Sequence, residues 1–109
     1  MQRQAEKLLA DAKAVEQAGA FAMVIECVPT ELAAKITASV NIPTIGIGAG
    51  PHCDGQVLVM QDMLGLYGDL RPKFVKRYTE AGADIRLAIE VYCREVREGK
   101  FPDAGHSFQ

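Results

Sequence analysis

Three short apolar runs, set between segments with helical periodicity, constrain this chain more than any other feature. Ala22-Met23-Val24-Ile25 stops at Glu26, Thr44-Ile45-Gly46-Ile47-Gly48 runs into a glycine-rich loop, and Val57-Leu58-Val59-Met60 follows shortly after. A strand with one wet face alternates apolar and polar residues. These runs do not, so they read as strands needing cover on both faces. The order is α-β-α-β-β-α-α with short connections, the pattern of a parallel sheet layered with helices. The expected strands lie near 20–26, 43–48 and 56–61.

The helical segments are marked by spacing and by stop signals. Ala5, Leu8, Ala12 and Val15 predict a helix over 2–18, with Gly19 at its end. Leu32, Ile36 and Val40 share a face of a helix over 31–40, with Thr30 expected as N-cap and Glu31 in the first turn. Pro72 suits a first helical position and Gly82 a stop, which predicts a helix over 72–81. Ile85, Ala88, Ile89, Tyr92, Cys93 and Val96 form the cleanest amphipathic pattern, on a helix over 83–98.

Length and composition narrow the function classes. The 109 residues suffice for one domain with one core, and the formal net charge of −2 leaves no basic excess to hold nucleic acid. No apolar run approaches the ~20 residues of a membrane span. The first residues lack the apolar region of an export signal. Cys27, Cys53 and Cys93 are odd in number, widely spaced and without C-x-x-C, which fits a reducing cytoplasm better than a disulfide framework.

Three parallel strands make a poor complete protein, because both sheet edges stay open. A (β/α)₈ barrel needs ~250 residues and eight strands. The expectation is therefore a piece of a larger α/β fold, or a chain completed by a partner.

Glu26 is the leading candidate for chemistry. It ends an apolar strand, and parallel α/β folds place their reactive groups at the carboxyl ends of strands. Desolvation at such a place favours a general base or acid. The plainer reading is a strand-end carboxylate facing water. Cys27 beside it is a poor nucleophile candidate, since no histidine is near in sequence. Gly46-Ile47-Gly48-Ala49-Gly50 has Pro51 where a dinucleotide fingerprint requires glycine, so it reads as a crowded strand end passing close to a neighbour or ligand. His52-Cys53-Asp54 reads as a solvated loop rather than a metal site, because adjacent residues seldom converge on one ion. Asp62 is a second acidic candidate with a cap or solvent contact as its plain explanation. Arg71, Lys73, Lys76 and Arg77 read as a solvated basic helix face.

Several strings occur together in order: Glu26-Cys27-Val28-Pro29, then Ile42-Pro43 leading to Ile45-Gly46-Ile47-Gly48-Ala49-Gly50, and Asp54-Gly55-Gln56-Val57-Leu58-Val59-Met60 with Asp62 and Gly65. Pro72-Lys73-Phe74 and Phe101-Pro102 with His106-Ser107-Phe108 complete the set. Together they resemble the carboxy-terminal portion of the ketopantoate hydroxymethyltransferase family. The resemblance implies α/β architecture: the last three β/α units of a (β/α)₈ TIM barrel of the phosphoenolpyruvate/pyruvate kind, with additional C-terminal helices, over 1–109. It implies transfer of a one-carbon unit from 5,10-methylenetetrahydrofolate to a small 2-oxo acid, 3-methyl-2-oxobutanoate. The product is 2-dehydropantoate, on the route to pantothenate and coenzyme A.

By the same resemblance Glu26 is the general base. Magnesium is the cofactor, with ligands expected outside this segment, so no residue here is assigned to the metal. The C-terminal helices join a homo-oligomer, and the compartment is cytoplasmic, with no nucleic-acid or membrane partner. The segment is expected to be inactive alone. Two alternatives stay open: a non-catalytic assembly segment completing a partner barrel, and a related barrel enzyme acting on another 2-oxo acid.

Overall fold

In a computed structural model describing residues 1–109, the backbone forms a parallel sheet with helices on one side, followed by a largely helical tail. The elements are α1 (Gln2–Gln17), β1 (Met23–Glu26), α2 (Thr30–Ser39), β2 (Thr44–Ile47), β3 (Gly55–Gln56), α3 (Met60–Met63), α4 (Ala81–Arg97) and a 3₁₀ turn (Ala104–His106). The chain forms two compact units. The first is Met1–Val59 with Pro72–Val75; the second is Met60–Arg71 with Lys76–Gln109.

The first unit follows the expected layering. The sheet order is β1-β2-β3, with both pairings parallel. Register sets Val24 beside Ile45 and Glu26 beside Ile47. Period 2 then sorts the side chains. Ile25 faces inward at 5% exposure and joins Ala12 of α1, Ala33 and Ile36 of α2, Val40 and Ala49 in the core. Each buried isoleucine contributes ~1.5–3 kcal/mol. Thr44 and Gly46, on the same side of β2, are also buried.

Polar bonds close the amino ends of the strands. Asp54 Oδ2 accepts from the Thr44 amide at 2.8 Å and from its hydroxyl at 3.3 Å, and the Asp54 amide donates back to Thr44 Oγ1 at 3.2 Å. Thr44 Oγ1 also lies 2.9 Å from Thr37 Oγ1 of α2. Asp54 is thus the clasp between β2 and β3, not merely the turn residue its Asp-Gly pair implied.

Three expectations need correction. The strand over 56–61 shrinks to Gly55–Gln56, extended only by the Val57 amide donating to the Gly46 carbonyl at 3.0 Å. Its partner turns away at Gly48 (φ 64°). The apolar run after Val57 therefore has no strand to pair with, and Met60–Met63 coils into α3. Thr30 opens α2 but makes no side-chain cap; Pro29 takes the cap position.

The helix over 72–81 is absent. Pro72–Val75 is one turn, closed by the Val75 amide on the Pro72 carbonyl at 3.0 Å, and Val75 is buried in the first unit. In the second unit, the amides of Tyr78, Ala81 and Gly82 bond the carbonyls of Met63, Leu64 and Gly65. The Tyr78 and Ala81 donors are thereby lost to a helix over 72–81, and glycines permit the approach: a Cβ on Gly65 would lie 2.5 Å from the Thr79 carbonyl oxygen, and one on Gly82 would lie 2.5 Å from that of Gly65.

The long C-terminal helix forms as expected, over Ala81–Arg97, but none of its residues is buried. Ile89 is 57% exposed and Tyr92 56%. Tyr92 meets Phe101 edge to face at 5.8 Å between ring centres.

Candidate functional site

The site is built at the carboxyl end of β1. Val24 and Glu26 alternate with Ile25, so they project from the sheet face opposite the helices. In register, Ile45 and Ile47 share that face, and the Ile45 side chain lies over Gly55, 3.0 Å from where a Cβ would stand. Their cover is uneven: Val24 is 62% exposed and Glu26 is exposed, while Ile45 and Ile47 are half-buried. The desolvation expected at Glu26 is therefore not supplied by this chain. The β1 part of this apolar face, ending in one carboxylate, is left exposed.

The chain turns sharply just after Glu26. Cys27 has φ 53°, a left-handed backbone that non-glycine residues adopt rarely and at a cost of ~1–3 kcal/mol. Its amide donates to the Ile47 carbonyl at 2.9 Å, which extends the ladder past Glu26 and fixes the strand end. No local signal marks this turn, because cysteine is not a left-handed former. A cavity of about 230 Å³ borders β1, lined by Asp11, Ala12 and Val15 of α1 and by strand residues through Glu26. β1 has no strand on its outer side.

The glycine-rich loop is crowded, as the sequence implied, and its neighbours are protein. Gly48 and Gly50 have positive φ. A Cβ on Gly48 would lie 2.8 Å from the Phe74 ring, and one on Gly50 would lie 2.5 Å from Thr30 Oγ1. Gln56 Nε2 donates to the Gly50 carbonyl at 2.9 Å. A second and larger cavity, about 510 Å³, opens among the Cys27–Thr30 turn, Gly48, Gly50, Lys73 and Phe74.

The basic cluster does not act as one face. Lys73 lines that cavity, while Arg77 donates to the Tyr67 carbonyl at 2.8 Å and pairs with Glu80 at 3.4 Å. Lys76 Nζ sits 4.9 Å from the centre of the Tyr78 ring. The place of Lys73 and Phe74 beside this cavity is not legible in the sequence, because a proline after Leu70-Arg71 suits a helix start and a single turn equally well.

No three His, Cys, Asp or Glu side chains converge anywhere in the chain. Asp54 is committed to Thr44, Asp62 lies in α3, and the cysteines are free. His106 pairs with Asp103 at 2.6 Å near the chain end. No helix is long and apolar enough to cross a membrane.

Comparison with known proteins gives a consistent answer. A family model described as ketopantoate hydroxymethyltransferase matches residues 1–104. A protein of Geobacter metallireducens named 3-methyl-2-oxobutanoate hydroxymethyltransferase is 61% identical over 107 residues, covering 98% of this chain and 40% of the relative. Proteins of the same name from Clostridium acetobutylicum and Heliobacterium modesticaldum are 60% and 62% identical, covering 96% and 95% of this chain and 38% of each relative. The chain thus spans about two-fifths of the length of the curated relatives it matches.

Proposed function

Because the chain belongs to the ketopantoate hydroxymethyltransferase family, we propose that it supplies the late-barrel part of a 3-methyl-2-oxobutanoate hydroxymethyltransferase. On this reading the strands are the last three of a (β/α)₈ barrel, and Glu26 is the general base. The observation that carries it is the position of Glu26: the end of a parallel strand, on the sheet face that the helices leave uncovered. In a closed barrel that face looks inward and the carboxyl ends of the strands form the reactive rim.

The chemistry asked of Glu26 is one proton transfer. The carboxylate takes the proton from C3 of 3-methyl-2-oxobutanoate, and the C–H electron pair moves into the ketone as an enolate. C3 then forms its new bond to the one-carbon unit of 5,10-methylenetetrahydrofolate. The two C–N bonds that held that carbon to the folate break, and water supplies the hydroxyl oxygen. Tetrahydrofolate leaves with the proton taken from C3 and one from water on its two nitrogens. A positioned base contributes typically ~10²–10⁴ in rate. Magnesium does not fit the residues present, since no three ligating side chains meet; no step on this chain runs through it.

The test combines the chain with a first-half segment from a relative and follows C3 deuterium exchange of 3-methyl-2-oxobutanoate by proton NMR. Glu26→Gln should keep ketoacid binding and slow exchange by ~10²-fold or more. Unchanged exchange would remove Glu26 from this role.

A second reading is favoured by α4. Ile85, Leu87, Ile89, Tyr92 and Val96 are all about half exposed, a larger apolar stretch than a lone helix leaves bare without a partner. We read it as a subunit contact of a homo-oligomer. Size-exclusion chromatography at rising concentration tests this, and a strictly monomeric assembled enzyme would refute it.

A further inference from the structure

We propose that the 510 Å³ cleft beside the Glu26 strand end is a binding subsite for a ligand that joins a flat aromatic group to carboxylates. This rests on the reading above, where the one-carbon donor is such a molecule and must approach the same rim as Glu26. The cleft lies wholly within the first unit, next to the turn that follows Glu26. Its size falls within the range of small-molecule sites, ~300–1,000 Å³.

The charge of the cleft is one-sided. No acidic side chain lines it, although the chain as a whole carries a formal charge of −2. Lys73 is its one formal charge, and Lys73 makes no ion pair, unlike Arg77 and Lys100. An unpaired ammonium in a cleft without carboxylates favours an anion.

Lys73 is also held in place from both sides in sequence. Pro72 closes the turn with Val75, and Val75 is 5% exposed. The Phe74 ring rests on Gly48, so close that a Cβ there would clash, yet the ring stays 36% exposed. A flat group stacks well against a ring fixed in this way. The turn residue Cys27 and the glycines at 48 and 50 complete a wall that is mostly backbone and apolar. This turn is the one part of the stretch after Val59 that belongs to the first unit.

The experiment uses the 109-residue chain and reads amide shifts by ¹H–¹⁵N NMR during titration with three probes: p-aminobenzoylglutamate, 3-methyl-2-oxobutanoate and inorganic phosphate. The expected result is saturable shifts at Gly48, Gly50, Lys73 and Phe74 with p-aminobenzoylglutamate, and weaker binding of the other two. Lys73→Gln should weaken that binding by about tenfold, roughly 1.4 kcal/mol. Lys13→Gln, on exposed α1 and outside the cleft, should not. Shifts that ignore Lys73, or none at these residues, overturn the proposal. Equal binding of phosphate overturns the aromatic half of it, and preferred binding of the ketoacid assigns the cleft to the wrong ligand. Binding here does not pass through Glu26, so Glu26→Gln should leave it unchanged. A failed exchange experiment and a failed cleft therefore remain distinguishable.

Discussion

The two units of this chain answer differently to equally clear hydrophobic patterns. In the first, Ala12 of α1 and Ala33 and Ile36 of α2 are buried together with Ile25 and Val40, although Leu8 and Val15 of α1 stay about two-fifths exposed. In the second, α4 carries the cleanest amphipathic stripe in the sequence, yet no side chain of that unit is buried; only Gly65 is. Val24 and Glu26 of β1 behave like α4 rather than like Ile25 between them. Periodicity states which face seeks cover. It does not state whether the cover lies on the same polypeptide.

Substitutions in the two regions probe that contrast. Ile36→Ala removes a side chain 3% exposed in the core and should cost ~2–5 kcal/mol, read as a fall in urea midpoint. Gly50→Ala should cost ~1–3 kcal/mol, because φ is 77° and a Cβ would strike Thr30. Gly19→Ala, with φ 98° but open space around it, should cost less, ~1 kcal/mol. Asp54→Ala removes the acceptor of two bonds from Thr44 and should cost ~1–3 kcal/mol. Ile89→Ala on α4 should change stability by under ~0.5 kcal/mol in the isolated chain. If Ile89→Ala cost as much as Ile36→Ala, the contrast between the units would fail. If its cost rose only in the assembled enzyme, the contrast would be sharpened into a measured interface.

Much of the first unit was legible because its local signals agree. The apolar run ending at Glu26, the stop at Gly19 (φ 98°) and the Ile42-Pro43 break all fall where the backbone changes element. The glycine loop was legible as crowding, and Thr30 and Phe74 are the neighbours that crowd it. The Lys73–Phe74 side of the cleft was not legible. Pro72 serves a helix start and a single turn alike, and only the tertiary bonds of Tyr78 and Ala81 decide between them. The third strand was overextended for a related reason: a run such as Val57–Met60 needs an edge to pair with, and β2 has already turned at Gly48. Asp54 looked like a turn residue because its acceptor role depends on Thr44, ten positions earlier. The exposure of Val24 and Glu26 lies beyond any local signal, since the run itself does not say which of its faces is packed against.

The most direct test of the account is a ketopantoate-forming assay with magnesium and methylenetetrahydrofolate, run on the pure chain and on the chain mixed with a first-half segment of a relative. The account predicts no turnover from the chain alone and turnover restored by the added segment. Robust activity from the 109-residue chain by itself would contradict it, since Glu26 would then be working on a face that needs no completion.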